Sequence, residues 1–260
     1  MNPPSYGRSP DGSDLTLLLP VYNEAESISA VIGEFERTVV TPSGGRLLVC
    51  EDGSTDGSRA VLERLARQLP MELVTSPDRK GYAGAAHDGL AQASTPWVFF
   101  ADSDGQYDPH DFWKIWAARN EYDMVIGCKT RREERYYRVV LSKGFHLLAK
   151  AFTTVPFRDI DCGFRLIRRD VIERVLPDVK SLRYSFWAEF SIIAYRKGIR
   201  IGEVPVSHRA SLRGGTSIYS WNKIPKILIL QVIGLLRLAR RLNREKRAET
   251  PVPPRVAAGS

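Results

Sequence analysis

The sequence predicts an α/β protein with a mostly parallel sheet flanked by helices, and three observations carry that expectation. Short apolar runs alternate along the chain with stretches of helical, 3.6-residue periodicity. Three of these runs end in acidic or turn-forming clusters, at Tyr22-Asn23-Glu24, Glu51-Asp52 and Asp102-Ser103-Asp104. The last run, Trp97 to Ala101, is apolar throughout, which suits a strand buried on both faces. Ligands of open α/β sheets bind at the carboxyl ends of the strands, so the clusters mark where a site is expected.

Taken in order, Leu15 to Leu19 reads as a first strand stopped by Pro20. Asn23 and Glu26 resemble a capping box, and Ile28, Val31, Ile32, Phe35 and Val39 give the apolar stripe of the helix that follows. Leu47 to Cys50 is a second strand, and Ala60, Val61, Leu65 and Leu69 are expected to turn a second helix inward. Glu72 to Thr75 is a short third strand, and Asp78 to Gly84 is a glycine-containing turn into a helix from Ala85. After the Trp97 strand, Asp108 and Pro109 cap and start another helix, and Met124 to Gly127 is a fifth strand.

At 260 residues, with 43% apolar and 26% charged, the chain suits one large domain or a domain with appendages. The expected division is a flexible N-terminus over 1–14, the α/β domain over 15–219, a basic amphipathic helix over 220–247 and a disordered tail over 248–260. Met1 to Asp14 is polar, so no signal peptide is expected, and no apolar run reaches the length of a membrane span. Cys50, Cys128 and Cys162 lack zinc-like spacing, as do the four histidines, and reduced thiols in a cytosolic protein are the simplest reading. Trp113, Trp116, Phe186, Trp187 and Phe190 read as core. The net charge of +8 is uneven: Trp221 to Arg247 carries +7 and Cys128 to Lys150 carries +5, which leaves −4 elsewhere. That asymmetry points to a polyanionic partner, a nucleic acid or an anionic membrane. The short apolar run after Trp221, bounded by lysines and arginines, suits a helix lying in a membrane interface; the alternative is a helix buried on the sheet or in a dimer.

Asp102 and Asp104 are two apart, so in extended chain both side chains leave on one side. Close carboxylates repel unless a cation lies between them, and a divalent ion shared with substrate phosphates supplies it. A solvated Asp-Gly turn is the plainer reading of the pair alone. Neither a Gly-x-Gly-x-x-Gly loop nor a Walker loop is present.

Together, Pro20-Val21-Tyr22-Asn23-Glu24, Glu51-Asp52-Gly53-Ser54-Thr55-Asp56 and Asp102-Ser103-Asp104-Gly105-Gln106 resemble a family 2 glycosyltransferase of GT-A, Rossmann-like fold. Asp159 to Arg165 and Glu203-Val204-Pro205-Val206 narrow the resemblance to the dolichyl-phosphate mannose synthase-like, polyprenyl-phosphate branch. It covers about Leu15 to Tyr219. The resemblance implies that Pro20, Tyr22, Glu24, Asp52 and Lys80 contact the donor nucleotide. Asp102, Asp104 and Gln106 would surround Mg²⁺ or Mn²⁺ and the diphosphate. Glu51 departs from the aspartate common in the family, and its longer arm would shift a ribose contact. Arg138 and Ser142, one helical turn apart, would bind the acceptor phosphate, with Lys129 or Arg131 adding a cation. Arg209 and Arg213 are both candidates for a further family arginine. The implied catalytic set is Asp104, Arg138, Ser142, Asp159, Asp161 and Glu189. Glu189 stands where hydroxyl-glycosylating relatives carry their base, and it, Asp159 and Asp161 are expected to position rather than to transfer protons.

The resemblance therefore implies an inverting, metal-dependent transfer of a hexose from GDP-mannose or a UDP-sugar to a polyprenyl or dolichyl monophosphate, at the cytosolic membrane face. A soluble transferase acting on a hydroxyl is the alternative. A nucleic-acid-binding protein would use the same basic segments, but no helix-turn-helix, zinc or ribonucleoprotein motif supports it. Intact Asp102 and Asp104 speak against a silent nucleotide-sugar sensor.

Overall fold

The computed structural model describes residues 14–129, 155–182, 184–209 and 224–249. Strands β1 (Leu15–Val21), β2 (Arg46–Asp52), β3 (Met71–Ser76), β4 (Trp97–Ala101), β5 (Met124–Lys129), β6 (Phe164–Arg168) and β7 (Ile201–Val206) form one sheet in the order β3-β2-β1-β4-β6-β5-β7. The pairs β1–β2, β2–β3, β1–β4 and β5–β7 are parallel. β6 is antiparallel to both neighbours, β4 and β5. The first three strands advance in one direction and β4 then joins on the other side of β1. The carboxyl ends of β1 and β4 therefore flank a switch point, the crevice in which such sheets bind ligands.

β1 is buried at every position, as a central strand covered on both faces must be. It runs two residues beyond the expected end at Leu19, through Pro20. Pro20 lies past the last pair with β4, Leu18–Phe100, and its carbonyl accepts the Ser103 hydroxyl at 2.7 Å. The capping box is also corrected. Asn23 adopts φ 56° and bonds to Thr55 instead, and helix α1 (Ile28–Phe35) starts after Ser27. Its apolar stripe is buried as expected. Between β1 and β2 the chain continues through a π turn and α2 (Thr41–Ser43).

Helix α3 (Ser58–Ala66) packs Val61 and Leu65 against the core as expected, with Leu69 just beyond its end, but Ala60 is exposed, and Ser58 and Leu62 are the fully buried positions. Ser58 is turned inward because its hydroxyl serves both Asp56 and the Glu24 amide. α4 spans Tyr82–Gln92 and starts three residues before Ala85. Asp108 accepts the His110 amide at the start of a one-turn helix that leads into α5 (Phe112–Ala117), as the sequence indicates. α6 (Arg169–Val175) and α7 (Phe186–Arg196) follow β6.

Alternation along β4 assigns its aromatics to opposite faces. Phe99 packs on Phe112 and Phe164, each at 4.8 Å between ring centroids, and Phe100 packs on Trp187 at 4.5 Å. Asp102 has the parity of Phe100. It is therefore delivered to the face that carries Trp187 and Tyr82.

Helix α8 (Ile224–Glu249) bears on both readings of the C-terminal segment. Leu235, Leu238 and Leu242 are buried, Gln231 donates to Ser185 at 2.5 Å, and Arg241 pairs with Glu189 at 3.3 Å, so one face is docked on the domain. Ile229, Leu230 and Ile233 remain exposed on another. None of the described helices is long and apolar enough to cross a membrane.

Candidate active site

The strand ends converge as the sheet order requires, and each acidic cluster is ordered by its own loop. At the end of β2, Glu51 is buried and accepts the Ser54 amide and the Arg59 guanidinium at 2.7 Å. Its longer arm is thus taken up by protein groups in the loop and helix that follow β2. Asp52, also buried, accepts the backbone amides of Lys80 and Gly81 at 2.7 and 2.8 Å. Gly53 at φ +64° lets the Asp78–Arg79 backbone come this close, since a Cβ there would sit 2.8 Å from the Arg79 nitrogen. The Lys80 ammonium pairs with Asp88. At the end of β1, the Arg79 guanidinium covers the Tyr22 ring at 3.8 Å, and Glu24 accepts the Ser27 hydroxyl at 2.7 Å.

The Asp102–Asp104 pair lies beside these loops. The Asp102 amide donates to the Gly163 carbonyl at 3.1 Å, and its carboxylate lies where a Gly163 side chain would be. One carboxylate oxygen accepts the Tyr82 hydroxyl at 2.7 Å, and that hydroxyl accepts the Trp187 indole N–H at 2.8 Å. Burial, and then the charge of Asp104, push the Asp102 carboxyl up to about 7, while Tyr82 and Lys129 pull it down. Asp104 accepts the Gln106 amide at 3.1 Å. The Gln106 side chain is buried and its amide reaches the Arg209 carbonyl at 3.4 Å. Arg209 itself is held by Asp108 at 2.8 Å and Glu34 at 3.1 Å, which makes it a brace across the fold.

The residues present fit a divalent cation. Two carboxylates on one turn raise each other's proton affinity, and a shared cation relieves that repulsion. Among the described residues no three His, Cys, Asp or Glu side chains cluster for metal binding, so a cation here would draw its remaining ligands from a substrate or water.

Across the crevice, Asp161 accepts the Ala188 amide at 3.1 Å and receives the Ser185 hydroxyl. Solvent reaches it, yet the protein packed around it pushes its carboxyl up to about 6, with Arg165 pulling the other way. Arg165 is fully buried and ties the Cys162 and Ile160 carbonyls to Ser191. Asp159 is buried, its amide bonded to Glu203 at 3.1 Å. Glu189 is fully buried and accepts the amides of Lys180, Ser181 and Leu182 at 3.1, 2.7 and 2.6 Å, besides Arg241. That is the setting of a carboxylate that shapes a loop. Lys129 ends β5 with its ammonium 5.6 Å from the Tyr107 ring, close enough to Asp102 to favour its ionised form. Arg131, Arg138, Ser142 and Arg213 lie outside the described residues.

Sequence reasoning did not single out Tyr82 or Gly163, and it read Trp187 as core only. Trp187 is core, and its indole N–H also serves the site. The position of Tyr82 directly after the Gly81 turn was the available signal.

This crevice joins a carboxylate pair at the β4 end to loops ordered at the ends of β1 and β2, the place where an open α/β sheet binds its ligands. The chain belongs to glycosyl transferase family 2, whose model matches residues 16–176, and it is a glycosyltransferase. Among its relatives, a dolichyl-phosphate beta-glucosyltransferase of Drosophila melanogaster is 25% identical over 94% of this chain and 82% of its own length. The polyprenol monophosphomannose synthase of Mycolicibacterium smegmatis is 29% identical over 74% of this chain and 76% of its own. The fold is GT-A. A solved likeness is glucosyl-3-phosphoglycerate synthase of Mycobacterium tuberculosis, in complex with Mn²⁺, uridine-diphosphate-glucose and phosphoglyceric acid. It has a TM-score of 0.63 and 19% identity, over 87% of this chain and 79% of that one.

Proposed function

We propose that this glycosyltransferase moves a hexose from a nucleoside-diphosphate sugar to a polyprenyl monophosphate, with inversion, on a membrane surface. The observation that carries this reading is Glu189. A hydroxyl acceptor needs a base within hydrogen-bond reach. The carboxylate at the helix position of that base is instead committed to three backbone amides and Arg241. A phosphate monoester needs no such base, because its second pKa is about 6 and it is largely dianionic at neutral pH. The kinship with a dolichyl-phosphate glucosyltransferase and a polyprenol monophosphomannose synthase supports the same acceptor class.

In this reading Asp102 and Asp104 hold Mg²⁺ or Mn²⁺, which as a Lewis acid stabilises charge on the departing diphosphate. The donor nucleoside lies against Pro20, Tyr22 and Glu24, with Asp52 and Lys80 at its side. Asp52 keeps the 80–81 loop in place, and Arg79 lies over the Tyr22 ring. Lys129, and outside the described residues Arg131, Arg138, Ser142 and Arg213, supply cations and a hydroxyl to the acceptor phosphate. The test is transfer of label from GDP-mannose, UDP-glucose and UDP-N-acetylhexosamines, with and without polyprenyl phosphate. Lipid-extractable product that requires the polyprenyl phosphate is expected from one of these donors. Product formed only on an added hydroxyl acceptor would overturn the reading.

One observation favours that second reading. Asp161 reaches solvent and has a carboxyl raised to about 6, which suits a general base. Asp161→Asn separates the two. Loss of about a hundredfold or more in turnover, with folding intact, would indicate a base and a hydroxyl acceptor; a loss under about tenfold is expected.

A further inference from the structure

We propose that Tyr82, aligned by Trp187, is a positioning residue for Asp102, fixing its carboxylate in the orientation in which Asp102 and Asp104 share one divalent cation. The inference rests on the metal role given above and assigns it a support that lies outside the family motif.

The direction of the bonds follows from the chemistry of the three groups. An indole N–H only donates, a phenol both donates and accepts, and an ionised carboxylate only accepts. With Trp187 donating to the Tyr82 oxygen at 2.8 Å, the phenolic hydrogen is left for Asp102 at 2.7 Å. The relay therefore has one polarity and ends on the carboxylate.

Each member is anchored independently. Trp187 is buried, packs on Phe100 at 4.5 Å and lies under the Arg165 guanidinium at 4.1 Å. The Tyr82 backbone follows Gly81, whose amide is gripped by Asp52 at 2.8 Å, and its ring meets Phe100 edge-on at 6.1 Å. Residues 80–82 thus bridge two strand ends, with Asp52 of β2 holding their backbone and Tyr82 holding Asp102 after β4. The terminal torsion of an aspartate is broad and roughly two-fold, so a carboxylate without such a donor swings. Gly163 limits Asp102 from one side, and the Tyr82 hydroxyl supplies the directional contact. Groups that orient a metal-binding carboxylate typically account for about 10- to 100-fold in metal affinity.

The experiment is Mn²⁺ binding to the full chain, read from the electron paramagnetic resonance signal of free Mn²⁺, with UDP and with GDP present in separate titrations. Tyr82→Phe keeps the ring and removes the hydroxyl, and Trp187→Phe keeps an aromatic core and removes the indole donor. Tyr82→Phe is expected to weaken Mn²⁺ binding about tenfold or more at an unchanged melting temperature. Trp187→Phe should weaken it in the same direction by less, because the hydroxyl stays but loses its alignment. Mn²⁺ affinity of Tyr82→Phe within about twofold of wild type would overturn the inference and leave the metal role standing. If Tyr82→Phe does not fold, Trp187→Phe decides, and unchanged affinity there overturns it equally. A wild-type chain that binds no Mn²⁺ with either nucleotide would overturn the metal role and this inference together.

Discussion

Gly163 shows how much one residue decides at this site. A side chain at that position would occupy the space of the Asp102 carboxylate. The group that must yield is the end of a flexible side chain, so the fold survives the intrusion and the carboxylate moves. Gly163→Ala is therefore expected to lower turnover by about a hundredfold, a misplacement of roughly 1 Å, with a melting temperature close to wild type. Parallel thermal melts and turnover check it, and a variant that is equally active would mean that Asp102 has room to spare. Asp104→Ala should abolish turnover, and excess chelator should do the same to the wild type. Full activity in chelator would remove the metal from the mechanism.

The elements around the site are fastened by ion pairs at their ends. Asp123 joins β5, β6 and β7: it accepts Arg200 and Arg168, each at 2.7 Å, and its backbone bonds to Arg200 and Arg168 as well. The Arg200 guanidinium, with the Arg168 charge added, holds its carboxyl below the usual carboxylate range. A lowered native pKa contributes stability above the unfolded value of about 3.9 and loses it as pH falls through the native value. Melting temperature should therefore fall in acid below about pH 4, and Asp123→Asn should flatten that part of the curve while lowering stability at pH 7 by about 1–2 kcal/mol. An unaltered acid limb in the variant would show that the pairs contribute nothing there. Glu189 fastens α7 and α8 in a comparable way. Glu189→Gln places an amide N–H₂ among backbone donors, at a cost of about 2–3 kcal/mol. Its melting temperature should drop while turnover of the folded fraction stays near wild type; a dead enzyme of normal stability would make Glu189 the base.

Over the whole molecule the C-terminal helix presents two faces, one buried and one open. Leu235, Leu238 and Leu242 dock it on the domain, so removing it should destabilise the protein. Ile229, exposed by 60%, stands with Leu230 and Ile233 on the open side, and Arg240 and Arg244 are exposed further along the helix. An apolar patch followed by cations is the composition of a helix that lies on an anionic bilayer. Each basic residue near such a surface contributes about 1 kcal/mol and is weakened by salt. Replacing Ile229, Leu230 and Ile233 by Ser should leave the melting temperature unchanged and release the protein from anionic liposomes. Undiminished binding by that triple variant would exclude this face as the membrane contact.

What the sequence determined by itself was the alternation of strands and helices, the clusters at the strand ends and the carboxylate pair. These are written in local periods and neighbouring residues, and α1 buries the stripe its spacing indicates. The strand insertion of β6 was not legible, because antiparallel pairing between β4 and β6 depends on which segments meet. Nor was the burial of Ser58 in α3, whose hydroxyl accepts the Glu24 amide beyond the β1 end. Trp187 and Tyr82 are 105 residues apart, and only the packing of α7 against the Phe100 face of β4 brings them together at Asp102. Likewise Glu189 became a loop anchor through amides and a guanidinium that its own helix does not contain. Local sequence fixes a side chain's chemistry and its phase on an element; its partners are chosen by the order in which the elements pack.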